Sequence, residues 1–258
     1  MDLLKEIVAR KRQEVAQRQR ARPLDELKRM PRRPLRDFAA ALRKPGVAAI
    51  AEIKRRSPSK GLLRERLDVA AVARSYERSG AAALSVLTDR EFFGGNEDDL
   101  RLAGKSVALP VLQKDFTIDK YQIHEARQIG ADATLLIVRV LTDAELRQFL
   151  QTARELGLAA LVEVHDEAEL ARAIDCGAEI IGVNNRDLGT LQVRLETALG
   201  LKKHIPASCI AVAESGIQTR SDVEQLEAAG YDAILVGEAL MCAPDPGHKL
   251  AELLGAVS

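Results

Sequence analysis

The chain has 258 residues, 47% of them hydrophobic and 29% charged, which suits a soluble protein with a sizeable core and a length that holds one large α/β barrel or two smaller domains. Lys plus Arg equals Asp plus Glu at 38 each, so no global field draws the chain to nucleic acid or to an anionic membrane. No uncharged apolar run can span a bilayer, Asp2, Lys5, Glu6 and Arg10 stand where a secretory signal would be apolar, and Cys176, Cys209 and Cys242 form no CxxC pair, which together point to a reduced, cytoplasmic protein.

Taken in chain order, the first 47 residues come before any repeat. Leu3, Leu4, Ile7 and Val8 have helical spacing, and an Arg-rich stretch runs from Arg10 to Arg36. Two readings stay open: a surface helix with a solvated basic face, or an N-terminal helical extension capping one end of the fold.

From residue 48 a unit recurs in which an amphipathic segment ends at Gly and an apolar run follows. It appears at Gly80, Gly130, Gly157, Gly177 and Gly230, each placed as a helix C-cap. Asp68 and Asp119 are candidate N-caps, and Thr142 with Glu145 and Ser221 with Glu224 have capping-box spacing. Strands are expected at 48–54, 82–87, 111–114, 133–138, 159–164, 180–184, 210–214 and 233–236. The helical segment 143–156 carries Leu146, Phe149, Leu150 and Ala153 on one face. Crossovers of this length imply parallel strands, and eight such units predict an α/β fold of the single (β/α)8 TIM barrel type, with an open doubly wound sheet as the weaker alternative. Without a Pro- or Ser-rich linker, residues 1–258 are expected to form one domain.

Polar residues inside these strands need a reason, because barrel interiors are normally filled with branched apolar side chains. Glu52 and Lys54 lie two apart near the end of the first strand; Lys114, Glu163, Asn184 and Glu214 end the third, fifth, sixth and seventh. Any one of them alone reads as a solvated rim residue. Two lysines and three carboxylates converging on the C-terminal mouth of a barrel must pair with each other or with a charged ligand, and such pairing prepares general acids and bases. Gly216 and Gly237, in the loops after the last two strands, suit a phosphate cradle with the N–H of Glu238, whose side chain is expected to point away. As ordinary turn residues the same glycines would carry no such meaning. Ser57 can add a hydroxyl from the 55–61 loop, which Arg55, Arg56 and Lys60 make cationic. His124, His165, His204 and His248 lack metal-ligand spacing and read as structural; the cysteines are expected in or near the core.

The segments AEIKRRSPSKG (51–61), SVLTDREFFGG (85–95), PVLQKDFTIDKYQIHEAR (110–127), LVEVHDEAEL (161–170), IGVNNRDLGTL (181–191), AVAESGI (211–217) and LVGEALM (235–241) resemble the indole-3-glycerol phosphate synthase family, in the family's order and across the whole chain. The resemblance implies a monomer or weak dimer with no metal or organic cofactor and a small phosphorylated substrate, 1-(2-carboxyphenylamino)-1-deoxyribulose 5-phosphate, used in tryptophan biosynthesis. It implies Lys114 as general acid, Glu163 as general base, and Lys54 with Glu52 as a further catalytic pair. Asn184, Arg186, Glu214 and Ser215 would hold the substrate and the lysines, Ser57, Gly216, Gly237 and Glu238 the phosphate, and Phe93, Phe116 and Leu135 the aromatic ring. Glu238 stands where some members have Ser, and Gly94–Gly95–Asn96 replaces a bulkier turn. Two rival readings are a Schiff-base aldolase using Lys114 or Lys54, and a catalytically silent ligand-binding barrel.

Overall fold

The computed structural model describes residues 3–187, 189 and 191–257; Asp2 of the charged N-terminal stretch, and Leu188 and Thr190 of the 181–191 motif, lie outside the described residues. Eight apolar runs form parallel strands: β1 (Ala48–Ile53), β2 (Ala83–Leu87), β3 (Val111–Lys114), β4 (Ala133–Ile137), β5 (Ala159–Val164), β6 (Ile180–Asn184), β7 (Ile210–Glu214) and β8 (Ala233–Val236). Each pairs with its neighbours in sequence, and β1 pairs with both β2 and β8, so the sheet closes into a (β/α)8 barrel. Strands β3, β5, β6, β7 and β8 have the expected bounds. Strand β1 stops one residue early at Ile53, β2 starts at Ala83, and β4 ends at Ile137 because Val138–Val140 tighten into a 3-10 turn.

Burial on both faces explains why the strands read as continuous apolar runs. Alternation is nevertheless strict. In β1, Ala49, Ala51 and Ile53 join the cluster under the helices, whereas Ala48 and Ile50 face the barrel interior. Between the strands, all five junction glycines are left-handed, with φ from 72° to 91°, a conformation only Gly adopts without strain. Asp68 and Asp119 cap their helices, and Thr142 forms the expected box with Glu145. The last capping box is displaced from its expected place at Ser221. Thr219 caps α10 (Arg220–Ala228) instead, its hydroxyl accepting from Asp222 N while the Asp222 carboxylate accepts from Thr219 N. Ser221 already lies inside the helix. The cysteines also depart from expectation: Cys176 is buried, but Cys209 is only half-buried and Cys242 is exposed. No helix among the described residues is long and apolar enough to cross a membrane.

The N-terminal extension meets the barrel at both ends. Leu4 and Ile7 of α1 (Leu3–Ala21) share an interior cluster with Phe116, Leu135 and Ile137, at the C-terminal end of the strands. Phe38 and Leu42, on the short helix Phe38–Leu42, join the same cluster beside Ala48, Ala133, Ile180 and Ile210, where strands begin. The arginines between them cap helix ends: Arg33 donates to Gly130 O, and Arg36 to Gly104 O and Leu109 O. Much of the basic stretch is thus a set of tethers, although the outer face of α1 is solvated.

Lys11 of α1 is the exception on that helix, only 2% exposed. Its Nζ lies 2.8 Å from Asp89, 2.9 Å from Asp115 and 3.1 Å from Glu14. Burial opposes the ammonium, but the Asp115 and Asp89 carboxylates outweigh it and raise its pKa. Asp115, also buried, is held below the usual carboxylate range by Lys11 and the Thr88 hydroxyl. Replacing one partner of such a cluster leaves uncompensated buried charge. Lys11→Met is therefore expected to cost about 3–5 kcal/mol in urea unfolding at neutral pH. A loss of less than about 1 kcal/mol, the scale of a surface ion pair, would show that the cluster is not structural.

Candidate active site

Period-two alternation sends Glu52 of β1, Lys114 of β3, Glu163 of β5 and Glu214 of β7 into the barrel at its C-terminal end. These are alternate strands, the arrangement by which barrel interiors stack side chains in layers of four. Here the uppermost layer is charged. It floors a cavity of about 510 Å³ at the strands' C-terminal ends, and every site residue expected from sequence lines that cavity.

Lys114 Nζ stands 2.6 Å from Glu214 and 3.0 Å from Glu163, and Lys54 Nζ, one residue beyond β1, stands 2.8 Å from Glu52. Asn184 Nδ2 donates to the other Glu163 oxygen at 3.1 Å, and Ser85 Oγ donates to Glu52 at 3.3 Å. Burial opposes the Lys114 ammonium, yet Glu163 and Glu214 outweigh it, so Lys114 stays charged well above the ordinary lysine range. Burial likewise opposes ionised Glu163, but Lys114 brings its pKa down to about 2. Glu214 goes the other way: burial and the nearby Glu163 outweigh Lys114 and push it up to about 7. Three carboxylates facing two ammonium groups leave one surplus negative charge. Glu214, whose Oε1 has no hydrogen-bond partner among the described residues, is the carboxylate of the three that is raised toward neutrality.

Two glycines make this packing fit. A Cβ on Gly182 of β6 would overlap Glu214 Oε1, and one on Gly237 would overlap the Glu52 carboxylate. Gly237 therefore serves the charged layer, in addition to any role at an anion. Gly182 was missed from sequence, although a Gly inside the strand IIGVN is the known mark of close approach.

The loops divide the remaining lining into two arcs. After β7, Ser215 and Gly216 are both left-handed (φ 66° and 78°), a conformation that costs Ser215 about 1–2 kcal/mol, and Asn185 Nδ2 donates to Ser215 O. After β8 come Gly237 and Glu238; after β1, Ser57 sits in a short antiparallel ribbon pairing Arg56–Ser57 with Gly61–Leu62. The Glu238 side chain does not point away, as expected from its place beside an anion seat. Its carboxylate turns into the lining and pairs with Arg186 at 3.0 Å, with Lys60 Nζ at 4.0 Å. Of the loop cations, Arg55 pairs with Asp99, Arg56 reaches Arg90 O, and Lys60 is 60% exposed. The other arc is apolar: Phe93 and Phe116, from the loops after β2 and β3, lie 6.0 Å apart between ring centroids, with Leu135 of β4 in the same wall. Leu3, Leu4 and Ile7 of α1 also line the cavity. Their helical spacing is legible in sequence, but the surface they meet is not.

The family model described as indole-3-glycerol phosphate synthase matches residues 4–253. The chain is 52% identical over 260 residues to the indole-3-glycerol phosphate synthase of Albidiferax ferrireducens and 49% identical over 262 residues to that of a Polaromonas species, covering 98% of both chains in each case. Among solved structures, a thiamine phosphate pyrophosphorylase from Pyrococcus furiosus superposes with a TM-score of 0.60 at 19% identity, over 83% of this chain and 96% of that one, a likeness of fold alone.

Gly182→Ala is expected to displace the Glu214 carboxylate and lower turnover by about 100-fold, the scale on which an ångström-sized misplacement acts. The far-ultraviolet circular dichroism spectrum should be unchanged; wild-type turnover in this variant would remove Gly182 from the site. Glu214 supplies a pH prediction. A carboxyl raised to about 7 in the fold holds a proton that the unfolded chain has released, so its contribution to stability is full below about 4.5 and is lost as pH rises through about 7. Wild-type stability measured against Glu214→Gln should decline across that window; a flat difference would show that Glu214 is ionised throughout.

Proposed function

The chain belongs to the indole-3-glycerol phosphate synthase family of carboxy-lyases, and we propose that it converts 1-(2-carboxyphenylamino)-1-deoxyribulose 5-phosphate to indole-3-glycerol phosphate, carbon dioxide and water, a step of tryptophan biosynthesis. The observation that carries the mechanism is Lys114 held between Glu163 and Glu214 on the cavity floor.

Ring closure requires an anilino ring carbon to attack the ketone, which builds negative charge on the carbonyl oxygen. The Lys114 ammonium stabilises that charge and protonates the oxygen, a far stronger base than either carboxylate beside the lysine. The ring carboxylate leaves as carbon dioxide. Expulsion of the hydroxyl as water then needs a proton donor and an acceptor, and Glu163, ionised at neutral pH, is the acceptor. Lys54, paired with Glu52, orients the substrate and shares proton transfer.

The two arcs supply the orientation. Ser57, Gly216, Gly237 and Glu238 N–H hold the phosphate, Asn184, Arg186, Glu214 and Ser215 hold the substrate and the lysines in place, and Phe93, Phe116 and Leu135 receive the ring. Holding a flexible substrate at both ends brings the reacting carbons together above Lys114. An aldolase would need a neutral lysine amine as nucleophile, and the carboxylates around Lys114 favour the opposite state.

The chain has no Trp, so indole product emission would rise over a dark background when substrate is added. Lys114→Ala should lower turnover by about 10²–10⁴-fold, the range for a general acid. Glu163→Gln should impair turnover equally while leaving competitive inhibition by inorganic phosphate unchanged. Wild-type turnover in either variant would overturn its assignment, and a covalent adduct trapped by borohydride would favour the aldolase.

A further inference from the structure

Glu163 has a neighbour that the mechanism above does not use. His165, two residues on along the same chain segment, is buried but absent from the cavity lining. Its Nε2 lies 3.8 Å from Glu163 Oε1 and makes no hydrogen bond among the described residues. On the opposite edge of the ring, Nδ1 lies 3.3 Å from Glu169 Oε2, which also accepts the His165 backbone N–H at 2.9 Å. Glu169 comes from α8 (Glu167–Asp175), and its second oxygen accepts from Arg139 Nε at 2.6 Å. Arg139, in the 3-10 turn after β4, reaches Asp187 at 3.2 Å and Asp166 at 3.5 Å, both substantially exposed. A line of charged side chains therefore runs from the cavity floor to the surface, hydrogen-bonded from His165 outward and separated from Glu163 by 3.8 Å.

A histidine kept only for packing would not be set with a carboxylate at each ring nitrogen. The backbone and side-chain contacts to Glu169 fix the ring, leaving Nε2 directed at Glu163. We propose that His165, clamped by Glu169 and Arg139, is a positioning residue for the ring-closure reaction that orients Glu163 and takes over the proton Glu163 acquires. This rests on the reading of Glu163 as the base. The step is a proton transfer in balance: Glu163 Oε–H gives its proton to Nε2 of neutral His165, which regenerates the carboxylate and forms an imidazolium facing Glu169. The ring resets when Nε2 returns that proton through Glu163 to water entering the cavity as product leaves; Arg139, a permanent cation with no acceptor, holds Glu169 and carries no proton.

The charged surroundings favour this imidazolium. The groups facing the ring are Glu163 from β5, Glu169 from α8 and Arg139 from the turn after β4; Glu163 in turn meets Lys114 from β3. Burial lowers the His165 pKa, but Glu169 and Glu163 outweigh burial and Arg139, and the net direction is upward. Glu169 moves down in response, as His165 and Arg139 overcome its own burial.

Two measurements test this. Nitrogen-15 NMR of the labelled full-length wild type should place the His165 titration midpoint above the ordinary value of about 6.5. It should fall in Glu163→Gln and in Glu169→Gln. In the indole assay, His165→Phe and Glu169→Gln should lower kcat by about 10–100-fold, the scale for loss of an orienting partner, with KM within about twofold. Glu169→Gln keeps the side chain's shape and serves if His165→Phe does not fold. A His165 midpoint unmoved by Glu163→Gln, or a wild-type kcat in both His165→Phe and Glu169→Gln, overturns the proposal. Failure of wild-type protein to make indole product would instead overturn the reading of the site, while the NMR titration still decides whether His165 and Glu163 are coupled.

Discussion

A charged layer where a barrel normally has an apolar one constrains much else in the molecule. Glu52, Lys114, Glu163 and Glu214 come from alternate strands and are almost removed from water, so their ionisation must be settled by each other. Lys114 bridges β5 and β7 from across the barrel, and Lys54 neutralises Glu52 from its own strand. The register places Asn184 beside Glu214, so the amide that orients Glu163 arrives from the strand between the two carboxylates. Glycines provide the space: Gly182 within β6 is the empty position against which Glu214 lies, and Gly237, just past β8, does the same for Glu52. Charge above and absent side chains beside it are two halves of one packing solution.

Attachment of the N-terminal extension follows the same rule. Asp115 directly follows Lys114, and Lys11 of α1 is buried against it. The Asp89 carboxylate that Lys11 also meets accepts the backbone N–H groups of Phe92 and Phe93. One ammonium thus ties α1 to the tip of β3 and to the loop that presents Phe93 to the cavity. Leu3, Leu4 and Ile7 complete the apolar arc that these contacts position. At the other end Phe38 and Leu42 close the barrel floor, so one extension seals the bottom and walls the top.

Much of this was legible in sequence because it is local. Strands buried on both sides announce themselves as apolar runs, and left-handed helix ends require Gly, so eight strands and five junctions could be placed to within a residue. Charged residues two apart in AEIK, or at the ends of PVLQK and LVEV, stood out against that background. The misplaced features depend on partners distant in sequence. Thr219 and Ser221 offer equivalent capping chemistry, and the entry of the chain into α10 decides between them. Glu238 looked misfit beside an anion seat because Arg186, 52 residues earlier, was not in view as its partner. Cys242 followed its average burial preference in the expectation, but the short helix carrying it ends at the open mouth. Gly182 was passed over for a related reason: its significance lies in an oxygen atom from another residue, Glu214.

The layer also leaves a cost that the rest of the protein must carry. Glu214 Oε1 is buried without a hydrogen bond among the described residues, its carboxyl gives up a proton less readily than an ordinary one, and Ser215 immediately after it adopts a left-handed backbone. Unsatisfied and strained groups persist where surrounding structure over-determines them. Here the determinants are specific: Lys114 on the carboxylate, Gly182 beneath it, and Asn185 holding the Ser215 carbonyl at 3.0 Å. A stabilising substitution at Glu214 would satisfy that corner at the expense of the lysine's second carboxylate. Lys114 would then rest on Glu163 alone, and the 3.0 Å contact between the acid and the base of the proposed reaction would lose the shorter contact that now competes with it.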